Sequence, residues 1–150
     1  MYRYTKVKSN CTERRKAMRA LIAEDDAISR KFLTKLLKKY GTVDITVDGE
    51  EAVNAFRYAL EDREYYDLVC LDIMMPKLDG IQVLCKMREM EDGLELAEEK
   101  CAKIIMTTAL NEIDDIQRAF DCGCAGYAVK PINAKEFCQV LKRMELIHDE

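Results

Sequence analysis

Tyr65 to Gly80 reads YYDLVCLDIMMPKLDG. A short apolar run ends in a single acid, Asp72, and an apolar pair, a proline and an Asp-Gly turn follow at once. Such a run, bounded by turn residues, is the pattern of a buried strand that carries one carboxylate to its exposed C-terminal tip. An acid at that place can take up a metal or accept a phosphoryl group. Two more acids, Glu24 and Asp25, follow the first apolar stretch, and Lys130 follows the last.

Outward from this stretch, strands alternate with helices. Arg19–Ala23 is expected as a short apolar strand, followed by a helix over Ala27–Tyr40 with Ile28, Phe32, Leu36 and Leu37 on its inner side. Val43, Ile45 and Val47 alternate with polar residues and predict a half-buried strand. Asp48 and Glu51 have the spacing of a capping box before a helix with Ala52, Val53, Phe56 and Leu60 inward. The quoted strand is expected over Asp67–Leu71. Asp79 and Gln82 then cap a helix whose core face is Val83, Leu84 and Met87. Arg88–Lys100 is strongly charged and is expected as a helix end and a long exposed loop, its Glu89–Lys100 part a solvated insertion or a specificity surface. Ile104, Ile105 and Met106 form a further strand. Ile113, Ile116 and Phe120 mark a helix ending at Gly123, and Tyr127–Val129 is the last strand. Asn133 and Glu136 cap a final helix with Phe137, Val140, Leu141 and Met144 on one face.

Continuous apolar strands separated by amphipathic helices imply a parallel sheet covered on both sides. The fold class is therefore α/β: a doubly wound, five-stranded parallel sheet, in the flavodoxin-like order 2-1-3-4-5, with helices on both faces. Ligands bind such sheets beyond the C-terminal strand ends where strand order reverses. Glu24, Asp25 and Asp72 belong to that place. Converging carboxylates repel one another, and a hard divalent cation, Mg²⁺ or Mn²⁺, resolves the repulsion. Strand four ends in Thr107-Thr108-Ala109, which supplies hydroxyl donors, and strand five in Lys130-Pro131, which supplies one positive charge.

Composition excludes several classes. The chain has 150 residues, 49% of them apolar and 35% charged, as in an ordinary globular domain. A net charge of −4 does not favour direct contact with nucleic acid, and no apolar run approaches a membrane span. Seven cysteines at irregular spacing, with no secretory leader, predict reduced thiols and a cytoplasmic protein. Cys122 and Cys124 are the one pair close in sequence. With His148 the sole histidine, they do not make a zinc site.

Residues 1–18 hold six Lys or Arg against one Glu and form a basic N-terminal extension before the domain proper at 19–150. Three readings stay open: an arm for an acidic partner, a disordered tail, or a misplaced start, with Met18 the true first residue.

From Arg19 to about Leu146 the chain resembles the receiver domain of bacterial two-component response regulators. Glu24-Asp25 matches the family's acidic pair, and Asp72 in LDIMMP-x-x-DG its phospho-accepting aspartate. Thr108, followed by the small Ala109, matches the switch hydroxyl. Tyr127 in GYAVKP matches the switch aromatic, and Lys130 the family lysine. The resemblance implies a phosphorylation-switched signalling domain of the two-component and phosphorelay kind, which catalyses only its own phosphorylation and dephosphorylation. It implies that a histidine kinase or histidine phosphotransfer protein phosphorylates Asp72. Asp25, Asp72 and the Met74 backbone carbonyl would hold Mg²⁺, with Glu24 acting through water. Thr108, Ala109 and Lys130 would bind the phosphoryl oxygens, and Pro131 would follow a cis bond. Met74 and Leu110, each two residues past a site residue, would tune the lifetime of the aspartyl phosphate by excluding water. The expected output is a protein target or a homodimer, bound through the face of helix four, strand five and helix five. With little sequence after the last helix, a stand-alone receiver is expected. The alternatives are a degenerate receiver acting without phosphorylation, an aspartate-nucleophile phosphatase, and a flavin-binding electron carrier. The phosphatase wants an acid where Met74 stands, and the acids after strand one would repel a flavin phosphate.

Overall fold

The computed structural model describes residues 17–148, so most of the basic extension lies outside the described residues. Five parallel strands, β1 (Met18–Ala23), β2 (Gly41–Thr46), β3 (Leu68–Asp72), β4 (Lys103–Thr108) and β5 (Gly126–Val129), form one sheet in the order β2-β1-β3-β4-β5. The intervening helices are α1 (Ala27–Leu37), α2 (Gly49–Glu61), α3 (Gly80–Gly93), α4 (Ile116–Asp121) and α5 (Ala134–Arg143). Short 3-10 turns cover Glu98–Lys100 and Leu110–Asp115.

The sheet separates two apolar layers. Leu21, Val69, Leu71, Ile104 and Met106 point to the side packed by α2 and α3, where Phe56, Val83, Leu84 and Met87 are buried. Ala20, Ile22, Leu68, Cys70 and Ile105 point to the side packed by α1 and α5, where Leu33, Leu37, Phe137 and Leu141 are buried. Side chains alternate faces along a strand, so β3 needs apolar residues at every position, and it is buried throughout. Each large apolar side chain so buried contributes about 1.5–3 kcal/mol.

The helix starts follow the sequence closely. Asp79 and Gln82 form a complete reciprocal capping box. Asp26 accepts from the backbone of Ile28 and Ser29, and Asn133 from that of Glu136. The Asp48–Glu51 box is incomplete: Asp48 accepts the Glu51 N–H, but the Glu51 carboxylate turns to the Val47 N–H. Gly80 is dictated by close approach, since a Cβ there would overlap the Asp72 carbonyl. Its N–H donates to Ile73 O at 2.7 Å, so the start of α3 is seated directly on the end of β3. Gly123 has φ +102°, the left-handed conformation that ends α4 and that glycine adopts without strain.

Four expectations are corrected. Ile28 and Phe32 are exposed; the inner face of α1 is Leu33, Leu36 and Leu37, one step round the helix. Ile45 and Val47 are also exposed, because β2 is an edge strand with little cover beyond α1. The charged stretch after Arg88 begins with the expected helix end, to Gly93, but it is not exposed throughout, since Glu91 is buried. That carboxylate accepts from the Arg88 guanidinium at 2.6 Å and the Ala102 N–H at 2.9 Å, and Arg88 also donates to Gly123 O. The fourth concerns the thiols: Cys85 on α3 and Cys122 after α4 form a disulfide, with Cα atoms 5.6 Å apart. They lie 37 residues apart, and only the packing of α3 beside α4 brings them together. Cys70, Cys101, Cys124 and Cys138 are free, and burial pushes the first three thiols above their ordinary values.

Candidate functional site: a carboxylate cluster at the strand tips

Register assembles the site. Ala23 pairs with Leu71, Asp72 with Thr107, and Thr108 with Val129. Glu24, Asp72, Thr108 and Lys130 therefore emerge side by side at one edge of the sheet. Glu24 and Asp72 are buried and Asp25 is exposed. One ligand oxygen from each of the three acids lies within 4.8 Å of the others.

The Lys130 ammonium bridges two of them, 2.9 Å from Glu24 Oε2 and 3.1 Å from Asp72 Oδ2. Thr107 donates to Glu24 Oε1 at 3.3 Å, and the Asp26 N–H to Glu24 Oε2 at 3.3 Å. The Met74 N–H donates to Asp72 Oδ1 at 3.2 Å. Arg30 reaches back from α1 to the carbonyls of Glu24 and Asp25, fixing the turn that carries both acids.

Burial, and then the hydrogen bond and negative charge of Glu24, push the Asp72 carboxyl up to about 8; Lys130 opposes the shift without cancelling it. Burial alone would lower the Lys130 ammonium, but hydrogen bonds and charge from Glu24 and Asp72 hold it above its ordinary value. One cation thus shares two buried carboxylates, with a third acid close by. This donor set fits a hard divalent cation, since it is all oxygen, excess in negative charge and open to solvent at Asp25.

The remaining sequence candidates fall around this centre. Thr108 is fully buried and its hydroxyl donates to Ala109 O at 3.0 Å. Tyr127 is 41% exposed and packs edge-on against Phe120, ring centroids 6.3 Å apart, so the aromatic points out. Met74 is 57% exposed at the mouth of the site. The Lys130–Pro131 bond is cis, as the resemblance implied. The Leu110 side chain lies outside what is described. Three contacts were not anticipated: Thr107 on Glu24, Arg30 on the acidic turn, and Glu112 on the Ala109 N–H at 3.0 Å. Glu112 stands three residues after Ala109, the spacing at which a first-turn glutamate reaches back to a cap backbone, so the sequence carried that signal.

The family model of the response regulator receiver domain matches residues 20–142. The chain belongs to that family. It is 40% identical over 119 residues to the probable transcriptional regulator ycf27 of Guillardia theta, covering 79% of this chain and 41% of that protein. It is 33% identical over 126 residues to the transcriptional regulatory protein PdtaR of Mycobacterium tuberculosis, covering 83% and 55%. The chain therefore spans about half the length of these relatives, or less. Among solved structures, it superposes on the receiver domain of the sensor histidine kinase PA1611 of Pseudomonas aeruginosa with a TM-score of 0.68 and 25% identity, covering 85% and 97% of the two chains. That structure has magnesium coordinated in its active-site cleft. The superposition on the Saccharomyces cerevisiae Ssk1 receiver domain, solved with the phosphotransfer protein Ypd1, has a TM-score of 0.70 and 26% identity, covering 89% and 94%.

Proposed function

We propose that this chain is a phosphorylation-switched receiver: Asp72 accepts a phosphoryl group from the phosphohistidine of a histidine kinase or phosphotransfer protein, with Mg²⁺ required. The single observation that carries this reading is the clustering of Glu24, Asp25 and Asp72 within 4.8 Å beside Lys130. An Asp72 oxygen attacks phosphorus; the Asp72 O–P bond forms as the histidine N–P bond breaks, and the imidazole leaves with the electron pair.

Asp25, Asp72 and the Met74 carbonyl would hold the cation, with Glu24 acting through water; a cation there neutralises charge on the phosphoryl oxygens. Lys130 keeps its ammonium at the Asp72 oxygen and receives one phosphoryl oxygen. Thr108 and the Ala109 N–H receive another. Met74 flanks the group and excludes water. Movement of Thr108 toward the phosphoryl group leaves room for Tyr127 to turn inward, changing the face of α4, β5 and α5 that meets a target protein or a second copy. The signal is a change of binding surface, with no substrate turned over beyond the phosphoryl group itself. The Ssk1 receiver solved with Ypd1 supports a phosphotransfer donor for this fold. The absence of any long apolar helix among the described residues fits a domain that does not cross a membrane. The intact set of acids, hydroxyl and lysine disfavours a receiver that signals without phosphate.

Intact-mass spectrometry after incubation with acetyl phosphate tests the reading. Wild type is expected to gain one phosphoryl mass with Mg²⁺ and none with chelator, and Asp72→Asn to gain none. An adduct retained in Asp72→Asn would move the acceptor elsewhere.

A further inference from the structure

The two donors at the tip of β4 are already engaged. The Ala109 N–H donates to Glu112 Oε1 at 3.0 Å, and the Thr108 hydroxyl lies 3.5 Å from that same oxygen while donating to Ala109 O. Thr108 is fully buried and follows Thr107, the register partner of Asp72. Glu112 itself sits in the 3-10 turn Leu110–Asp115, which runs without a break into α4. One carboxylate therefore ties the phosphoryl side of the site to the helix behind it.

We propose that Glu112 is an internal counter-anion: it occupies the Ala109 N–H and stands beside the Thr108 hydroxyl in the unphosphorylated protein, and the phosphoryl group on Asp72 displaces it and loosens the start of α4. The inference rests on the phosphorylation of Asp72 proposed above and adds a regulator to that site. An N–H carries one proton, and a hydroxyl carries one. Neither can serve a carboxylate and a phosphoryl oxygen fully at once. Both acceptors are anions, so holding them together is further opposed by repulsion. The carboxylate must leave as the phosphoryl group arrives. That supplies what a switch requires, a set of contacts made in one state and broken in the other.

The release acts on one end of α4. Its C-terminal end stays tied to α3 by the Cys85–Cys122 disulfide and by the Arg88 donation to Gly123 O. With the carboxylate displaced, the Glu112 N–H bond to Ala109 O is what remains at the other end, and the helix pivots about its fixed end and carries Phe120, the ring that packs on Tyr127. Glu112 is thus a positioning residue, acting on phosphate through the Ala109 donor it withholds.

The test measures binding of beryllium fluoride with Mg²⁺, by calorimetry, to wild type, Glu112→Ala and Glu112→Gln, with phosphoryl uptake from acetyl phosphate followed in parallel by mass. Removing the competitor is expected to lower the half-saturating beryllium fluoride concentration at least about fivefold in Glu112→Ala. Glu112→Gln, which keeps the shape but not the charge, should fall between that variant and wild type. The sign is decisive. A carboxylate that merely stabilises the turn would weaken binding when removed, because the donors would become less ordered. Equal or weaker binding in both variants, with wild type still phosphorylated, overturns the inference and leaves the acceptor role of Asp72 standing. If wild type takes up no phosphoryl group, the receiver chemistry itself fails and this inference falls with it. Should Glu112→Ala melt below the assay temperature, the near-isosteric Glu112→Gln carries the same comparison.

Discussion

Asp72, the proposed phosphoryl acceptor, is held in its place at an energetic cost. Its carboxyl is raised to about 8 by burial and by Glu24, so the folded protein binds that proton more tightly than the unfolded chain does. Stability from this group is complete below the ordinary value of 3.8 and is lost as pH rises through about 8. Asp72→Asn removes the titration and keeps the shape. It should abolish phosphoryl uptake yet raise the melting temperature, with a gain of about 1–3 kcal/mol. The gain should be small at pH 5 and largest above pH 8. Thermal melts of both proteins across that range check the sign; parallel curves would mean that Asp72 does not titrate as the geometry requires. Met74 sits exposed at the site mouth and has no polar side-chain atom with which to orient a water. Met74→Asn should shorten the life of the aspartyl phosphate several-fold, read as the decay of the phosphoryl mass after acetyl phosphate is removed. The acids, Thr108 and Lys130 were legible one by one, because each follows an apolar strand at a turn. Thr107 was not, since which of two adjacent threonines meets Glu24 depends on how β4 emerges beside β1 and β3.

At the scale of elements, α3 and α4 are joined more firmly than apolar packing alone would join them. The Cys85–Cys122 disulfide closes 37 residues of chain, and such a closure contributes about 2–4 kcal/mol. Reduction with a dithiol should therefore lower the melting temperature of wild type but leave Cys85→Ser unchanged. A melt insensitive to reductant would show that the bond does not form in solution. Beside it, Glu91 is 2% exposed and satisfies both Arg88 and the Ala102 N–H. Glu91→Ala strands the buried Ala102 N–H and takes the carboxylate from the partly exposed Arg88, and should cost about 1–3 kcal/mol by chemical denaturation, more than loss of an exposed acid such as Glu89. Neither feature could be read from the chain. An odd number of irregularly spaced cysteines leaves every pairing open, and a glutamate within a charged run looks solvated until the loop after α3 folds back over it. The strands and caps were readable because their signals are local: β3 is apolar at each position, and Asp79-x-x-Gln82 caps whatever helix follows. The inner face of α1 was misread by one step because Ile28 and Phe32 share an arc with Leu36. Periodicity alone does not say which edge of an apolar arc faces the sheet.

For the whole molecule, the same doubly wound topology that buries the sheet on both faces gathers its charge at one end. Register alone brings the tips of β1, β3, β4 and β5 together, and the resulting excess of carboxylate is only partly met by Lys130. A divalent cation that binds the folded site and not the unfolded chain must stabilise the entire domain by mass action, by about 2.7 kcal/mol at a hundredfold excess over Kd. Because the Asp72 carboxyl titrates at about 8, a cation must compete with its proton at neutral pH. Mg²⁺ should therefore raise the melting temperature more at pH 9 than at pH 6, opposite in direction to the pH response of the metal-free protein. Binding near pH 7 should release close to one proton, read by calorimetry in two buffers of different ionisation enthalpy. Asp25→Asn should remove most of the Mg²⁺ effect. Asp72→Asn should also weaken the cation but lose the pH dependence altogether, since the competing proton is gone. Proton release that persisted in Asp72→Asn would mean that a group other than Asp72 gates metal entry, and would remove the competition between proton and cation at that carboxylate.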